Sequence, residues 1–193
     1  MKQKVWPGLN STFLTLIPKT ASSETAHGFR PIPLCNVIYR IISTLIAKIL
    51  KPILPNIISP EQTGFVEGRQ ILDGLVVTQE TLHSLKQRNQ RGMMIKLDLS
   101  KAYDRINWNY LRAILSAFGF SRRWIDWVLD MISTPFFSIL INGAPSSTFK
   151  ATRGIRQGGP ISPFLFIMAA EGLGRYFKKA LREKINQRIK AVG

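Results

Sequence analysis

Apolar residues recur every three or four positions along several stretches of the chain, which is the spacing of one face of a helix. In the first stretch Val37, Ile41, Leu45 and Ile49 lie four residues apart. Residues that favour helix N-caps come before most of these stretches, and glycine or proline follows them. The pattern predicts helices over residues 36–51, 71–86, 107–118 and 121–134, and a last helix from about Pro163 with Ser162 as its cap.

Segments with strand character lie between these helices. Residues 12–17 are predicted to form a short strand that Pro18 stops, and two prolines keep residues 29–34 extended. Residues 136–141 and 149–152 are predicted to be strands, joined by a turn that contains Asn142 and Gly143. Because strands and helices do not alternate strictly, the fold class that we expect is α+β.

Asp98 is a lone acid in an apolar segment, residues 93–99, that alternates as a half-buried strand does. Such a strand would bring Lys96 and Asp98 to an open surface. A carboxylate at the end of a core strand can hold a metal ion rigidly. The same pattern also fits a solvated strand end where Lys96 and Asp98 are neighbours, so this segment alone leaves both interpretations open.

The charge of the chain is strongly unbalanced. Its 193 residues include 27 Lys and Arg against 11 Asp and Glu, a net charge of +16, and 45% of them are hydrophobic. This excess indicates a polyanionic partner, either nucleic acid or an anionic membrane surface. Residues 37–54 are interrupted too often for a transmembrane span, and residues 1–10 lack the features of a secretion signal. The single cysteine, Cys35, excludes an internal disulfide, and an intracellular protein of the nucleus or cytoplasm is expected.

A glycine-rich loop, residues 153–160, opens onto the last predicted helix. Its glycines let the backbone approach a ligand closely, and Arg153 and Arg156 flank the approach. It matches neither the P-loop spacing nor the dinucleotide fingerprint, so kinases and dehydrogenases have little support. Lys19 and Arg30 frame a second, polar loop and could clamp a triphosphate, or could simply belong to a cationic surface.

Four segments in a fixed order resemble the reverse transcriptases of non-LTR (LINE-type) retrotransposons, especially those of plants. They are residues 29–34 (FRPIPL), 59–69 (SPEQTGFVEGR), 96–104 (KLDLSKAYD) and 153–166 (RGIRQGGPISPFLF). The resemblance covers the chain from about Leu14 to Tyr176. It implies a right-hand polymerase fold with residues 1–92 as a fingers-like region and residues 93–193 as a partial palm, without a thumb.

The resemblance also implies a role for individual residues. Asp98 would be the first catalytic carboxylate and would bind Mg²⁺, or Mn²⁺ instead, together with the Leu99 carbonyl. Tyr103 would be the aromatic gate against the sugar, and Asp104 is interpreted as structural. The remaining candidates would bind the triphosphate (Lys19, Arg30), the nascent base pair (Gln157, Gly158) and nucleic acid (Arg153, Arg156). The implied partners are an RNA template, a DNA primer and dNTPs, and the oligomeric state stays open.

The chain departs from the family pattern in two places. Gly159 stands where plant elements usually carry an acid, and the Tyr/Phe-Ala-Asp-Asp strand with the other catalytic carboxylates is not found before Gly193. We therefore expect a truncated polymerase with little activity of its own. The alternative is a non-catalytic, basic nucleic-acid-binding remnant. A basic structural protein of a ribonucleoprotein would explain the charge but not the ordered motifs.

Overall fold

The computed structural model describes residues 10–22, 24–92 and 94–192, with the side chains of residues 184–192 left out. The described strands are β1 (Thr12–Pro18), β2 (Phe29–Leu34), β3 (Phe136–Ile141), β4 (Ala144–Pro145) and β5 (Phe149–Lys150). The helices are α1 (Val37–Leu50), α2 (Leu54–Ile57), α3 (Ile71–Gln87), α4 (Ala102–Arg105), α5 (Trp108–Ala117), α6 (Arg122–Ser133) and α7 (Ser162–Val192), with a 3-10 turn at Ala26–Gly28. None of the helices within these ranges has the length and apolar character to cross a membrane.

One small mixed sheet joins the first two strands to strands more than 100 residues later in the chain. The strand order is β2-β1-β3-β4, and β5 also pairs with β3. β1 runs antiparallel to β2 and parallel to β3. The pairing with β3 brings residues 12–14 beside residues 137–139. This mixture of helices with a small mixed sheet agrees with the predicted α+β class, and the sheet carries the N-terminal hairpin to the chain that leads into the glycine-rich loop.

Most of the predicted elements are confirmed because their start and stop signals are local. The side chains of Asn36, Asn107 and Ser121 accept hydrogen bonds from backbone N–H groups in the first turns of α1, α5 and α6. Asn142 and Gly143 both adopt positive φ between β3 and β4, as a tight hairpin requires. Ser162 differs from the prediction, since α7 begins at this residue and its buried hydroxyl has no hydrogen-bond partner in the described structure.

The predicted strand at residues 93–99 is wrong. Residues 94–99 have no regular secondary structure, and Ile95, Leu97 and Leu99 are 65%, 69% and 55% exposed. A strand requires a neighbour to satisfy its backbone N–H and C=O groups, and no strand of the described ranges pairs with this segment. Alternation of side chains therefore could not produce a strand here, and Asp98 lies on an exposed, irregular segment.

The main core lies where α5, α6 and the first half of α7 meet. α5 packs against both of the other helices. Side chains from all three helices and from the segments around α2 are fully buried there: Leu50, Leu54, Leu111, Leu115, Val128, Ile161, Leu165, Ile167 and Met168. α1 contributes Leu50 to this core, whereas Val37, Ile41, Leu45 and Ile49 of its predicted apolar stripe are 56–70% exposed. The predicted helix is confirmed, but the side chains of its predicted apolar stripe are exposed, and another face of the helix is buried.

Glu171 anchors α7 to the loop after α2. Its carboxylate, 3% exposed, accepts hydrogen bonds from the backbone N–H and hydroxyl of Ser59 and from Arg175 Nε at 2.7 Å. Arg175 also donates to the Ile57 carbonyl at 2.7 Å. Burial acts to raise the pKa of Glu171, but the hydrogen bonds from Ser59 and Arg175 outweigh it and hold the pKa below its ordinary 4.5. The acid is thus a structural group.

Replacing Glu171 with Gln should lower the free energy of unfolding by about 1–3 kcal/mol near neutral pH, because charged hydrogen bonds to a buried group are lost. A lowered folded-state pKa gives stability that is complete above pH 4.5 and is lost as the pH falls through the folded value. The difference between the two proteins should therefore disappear in acid, as measured by denaturant unfolding across pH. Glu183→Gln, at a side chain 63% exposed on the same helix, is the control and should change little. A Glu171 effect that persists unchanged in acid would contradict the assignment.

Candidate functional site

The glycine-rich loop is fastened to the segment that follows Asp98. The Gly154 N–H donates to the Ile106 carbonyl at 2.8 Å, and the Ile155 N–H donates to the Tyr103 carbonyl at 2.9 Å. The Trp108 indole Nε1 donates to the Gly154 carbonyl at 2.7 Å. These three hydrogen bonds align residues 154–155 with residues 103–108, so two of the predicted motifs meet in space.

Gly154 lies close against the backbone of Asp104. A Cβ atom at this position would lie 2.9 Å from the carbonyl oxygen of Asp104 and 3.0 Å from its Cα. Gly154 also has a φ of +93°, in the region where side chains other than hydrogen are strained. Gly154 thus permits a close approach of the loop to the protein's own backbone, and the predicted approach of the loop to a ligand stays a prediction.

The first cleft lies on the sheet side of this junction and has a volume of about 190 Å³. Its polar lining residues are Asp104, Arg153, Gln157 and the almost fully buried Arg156. Gln157 Nε2 donates to Asp104 Oδ1 at 3.2 Å. The hairpin β1–β2, the sheet and α6 supply apolar walls: Leu14, Pro31, Pro33, Ile132, Phe137 and Phe149. The cleft thus combines an apolar surface with an exposed cation, a carboxylate and an amide.

The second cleft, of about 410 Å³, lies between residues 98–107 and α7. Asp98 and Leu99 are at its edge, both exposed, and Phe166, Ala170 and Leu173 line the α7 side. The Tyr103 ring stacks on Phe166 with ring centroids 5.1 Å apart and an angle of 9° between the planes. Burial raises the pKa of Tyr103, so its hydroxyl stays protonated at neutral pH.

The structure brings the predicted site residues together in three groups. Asp98 and Leu99 share the second cleft, whereas Arg153 and Gln157 share the first, with Gly158 exposed next to Gln157. The segment that carries Tyr103 separates the two clefts. Lys19 and Arg30 lie on the exposed β1–β2 hairpin, outside the lining of both clefts, and Lys19 Nζ donates to the His27 carbonyl at 2.9 Å.

The expectation that Arg156 contacts nucleic acid is wrong, because this side chain is 4% exposed. Arg156 Nη2 donates to the backbone carbonyl of Asn10 at 2.8 Å and to the Asn10 side-chain oxygen. Its guanidinium stacks over the Tyr39 ring at 4.0 Å and also approaches Phe137 and the Cys35 sulfur. A guanidinium that is buried and directed to Asn10 and Tyr39 does not reach a phosphate at the surface, whereas Arg153 is exposed.

Among the described residues, Asp98 is not accompanied by the further side-chain ligands of a preformed metal site. Across the described ranges, no group of three or more His, Cys, Asp or Glu side chains is close enough to hold a metal ion. Asp98 contributes a carboxylate to the second cleft, and no other residue that lines this cleft carries one. The described residues therefore do not by themselves form a divalent-cation site.

Two hydrogen bonds of this site were not predicted from the sequence. One joins Trp108 to Gly154, which are 46 residues apart, and the other joins Gln157 to Asp104, which are 53 residues apart. The glycines of the loop were the only signal of a close approach, and they did not identify the partner segment.

Residues 17–189 match the family described as reverse transcriptase (RNA-dependent DNA polymerase). Over 158 residues, 82% of the chain, it is 30% identical to the transposon TX1 uncharacterized 149 kDa protein of Xenopus laevis. It is 27% identical over 90% of its length to a retrovirus-related Pol polyprotein from the retrotransposable element R2DM of Drosophila melanogaster. It is 25% identical over 79% of its length to a Pol polyprotein from the element R2 of Popillia japonica. The chain spans 12%, 16% and 21% of these three relatives, respectively.

Gly154→Ala should destabilise the protein by about 3 kcal/mol or more, because strain at positive φ adds to a clash with backbone that cannot move aside. Gly158→Ala is a matched control, since Gly158 has a φ of +77° but no atom within 4 Å of its Cβ position. It should cost only about 1–2 kcal/mol, the strain alone. Denaturant unfolding of the two variants measures the difference. Equal losses would contradict the close contact between Gly154 and Asp104.

Proposed function

Because the chain belongs to the reverse transcriptase (RNA-dependent DNA polymerase) family, we propose that its two clefts are parts of a polymerase active site. The chain is a reverse transcriptase domain homologous to Pol proteins of non-LTR retrotransposons, and it spans part of such proteins. The observation that carries the proposal is the family match over residues 17–189, which includes every candidate site residue. The joining of the glycine-rich loop to residues 103–108 supports it, because two motifs of the family then share one surface.

Asp98 is the catalytic carboxylate in this proposal, and Leu99 assists it through its backbone carbonyl. Reverse transcriptases generally depend on divalent metal ions, and we propose Mg²⁺ as the cofactor with Mn²⁺ as the alternative. The exposure of Asp98 at the edge of the second cleft supports this role. A pair of metal ions requires further carboxylates, which the described residues do not bring to Asp98. For this reason the chain alone should have little activity.

The other candidate residues would bind the nucleotide. Lys19 and Arg30 of the β1–β2 hairpin would contact the triphosphate, and Tyr103 would pack against the sugar. Gln157 and Gly158 would lie along the nascent base pair. For Gln157, the apolar walls and polar groups of the first cleft support this assignment, since a nucleotide combines a flat base with polar and anionic parts.

The wider description of the protein is also a proposal. Residues 1–92 would be a fingers-like region and residues 93–193 part of a palm. The chain would derive from a plant element and would act inside the cell, in the nucleus or cytoplasm, on an RNA template with a DNA primer. The oligomeric state stays open.

A second candidate function is nucleic-acid binding without catalysis. The net charge of +16 favours it, because counterion release from a polyanion needs basic residues and no catalytic acid. Exposed basic side chains on α7 would contribute to such a surface: Arg175, Lys178, Lys179 and Arg182. Both candidates require nucleic-acid binding, and only the first requires chemistry.

Binding of an RNA–DNA hybrid to the chain should weaken steeply with salt. Arg153→Ala should lower the affinity and reduce the slope of log K against log salt by about 1, the loss of one phosphate contact. Arg123→Ala is the control, since Arg123 is also exposed but stacks over Trp127 at 5.0 Å and lines neither cleft. Fluorescence anisotropy of a labelled hybrid at several salt concentrations measures both slopes. Binding that is insensitive to salt, or equal losses in both variants, would count against a site at the first cleft.

Primer extension separates the two candidates. The chain with a primed RNA template, dNTPs and Mg²⁺ should extend the primer little above background, and Asp98→Asn should not change that level. Gel analysis of the extended primer measures this. Robust synthesis that Asp98→Asn abolishes would show that the expectation of low activity is wrong and would establish the catalytic role of Asp98. Binding without any synthesis in the presence of Mg²⁺ or Mn²⁺ leaves the non-catalytic candidate in place.

A further inference from the structure

We propose that Asp104 is a positioning residue for Gln157, and that it turns the Gln157 amide so that its carbonyl oxygen is presented to the first cleft. The inference rests on the proposed function, because it takes the first cleft to be the nucleotide site. It assigns to Asp104 a task beyond a purely structural one.

The hydrogen bond between the two side chains determines the orientation of the amide. Gln157 Nε2 donates to Asp104 Oδ1 at 3.2 Å, and both residues line the first cleft. An ionised carboxylate can only accept hydrogen bonds, so the amide must turn its NH₂ group towards Asp104. The carbonyl oxygen Oε1 is then the polar group of Gln157 left for a ligand. Without the carboxylate, either end of the amide could face the cleft.

Asp104 is held in place firmly enough to act as a reference point. Its backbone N–H donates to the Lys101 carbonyl at 3.0 Å, and its own backbone lies against Gly154. On either side, the carbonyls of Tyr103 and Ile106 accept hydrogen bonds from the glycine-rich loop. Gln157 belongs to the same loop, two residues after Ile155. Both partners are thus fixed to the same junction, which limits the rotamer entropy lost when the amide is ordered.

Asp104 has no competing ionic partner among the described residues. In the described part of the chain, no Lys, Arg or His nitrogen lies within 4.0 Å of its carboxylate. Arg156 is directed to Asn10 instead. The Asp104 carboxylate therefore has the Gln157 amide as its side-chain partner, as a dedicated orienting group would.

An oriented acceptor at the cleft would distinguish the parts of a nucleotide. The oxygens of a triphosphate ionised at neutral pH accept hydrogen bonds, so they match cationic side chains rather than a carbonyl oxygen. The carbonyl oxygen of Gln157 matches a hydroxyl of the sugar or an N–H of the base. Asp104 would in this way increase nucleotide affinity without contacting the nucleotide.

The test uses the full chain labelled with ¹⁵N, and the side-chain NH₂ signals of Gln157 are assigned from their loss in Gln157→Glu. Asp104→Ala should move these signals to the positions of a solvent-exposed glutamine, whereas Asp104→Glu, which keeps an ionised carboxylate that can only accept, should largely retain them. Titration with dTTP and Mg²⁺, followed by backbone signals of residues 153–159, should show a three- to tenfold weaker affinity for Asp104→Ala. Asp104→Glu should stay within twofold of the parent chain.

A double substitution separates positioning from a general structural effect. In the Gln157→Ala background, Asp104→Ala should cause no further loss of dTTP affinity, because its effect passes through Gln157. A further loss there, or unchanged Gln157 NH₂ signals in Asp104→Ala, would overturn the proposal. If Asp104→Ala does not fold, Asp104→Ser replaces it in each measurement. Absence of dTTP binding by the parent chain would contradict the nucleotide site itself, and the NH₂ signals would still decide whether Asp104 orients Gln157.

Discussion

The buried guanidinium of Arg156 is the interaction on which the site depends. It reaches Asn10 before β1, stacks on Tyr39 of α1, and approaches Phe137 of β3. A buried charge is costly unless hydrogen bonds and neighbouring dipoles compensate it. Three separate parts of the chain supply that compensation, so they must assemble around Arg156 together. Burial raises the pKa of Tyr39 to about 12 although Arg156 acts to lower it, and the ring therefore faces the cation as a neutral phenol.

The contacts of Arg156 help to determine the position of the glycine-rich loop. Arg156 attaches the loop to the sheet and α1, while Gly154 and Ile155 attach it to residues 103–106. The loop is thereby fixed from two sides. Gln157, the residue after Arg156, lines the first cleft. Arg156 was expected to bind a ligand, but it stabilises the protein instead. It thereby fixes the position of neighbouring loop residues that can bind a ligand.

Sequence reasoning identified local features of the fold well and long-range ones poorly. Asn36, Asn107 and Ser121 bond to N–H groups two or three residues away, so their role is visible in the sequence itself. Residues 93–99 show the limit of this reasoning, because a strand also needs a partner and the alternating pattern does not supply one. The apolar stripe of α1 is a second example of this limit. Helical spacing predicts an apolar face but does not show whether another element covers that face.

By itself the sequence determined the helices with caps, the hairpin turn, the basic charge and the order of four motifs, which already indicated the reverse transcriptase family. Each of these is a property of neighbouring residues or of their order. Only the tertiary structure decided that Arg156 is buried while Arg153 is exposed, although the two are three residues apart in one loop. It also paired Asp104 with Gln157 and Trp108 with Gly154. Burial and pairing depend on what the rest of the chain places nearby, and no local pattern contains that information.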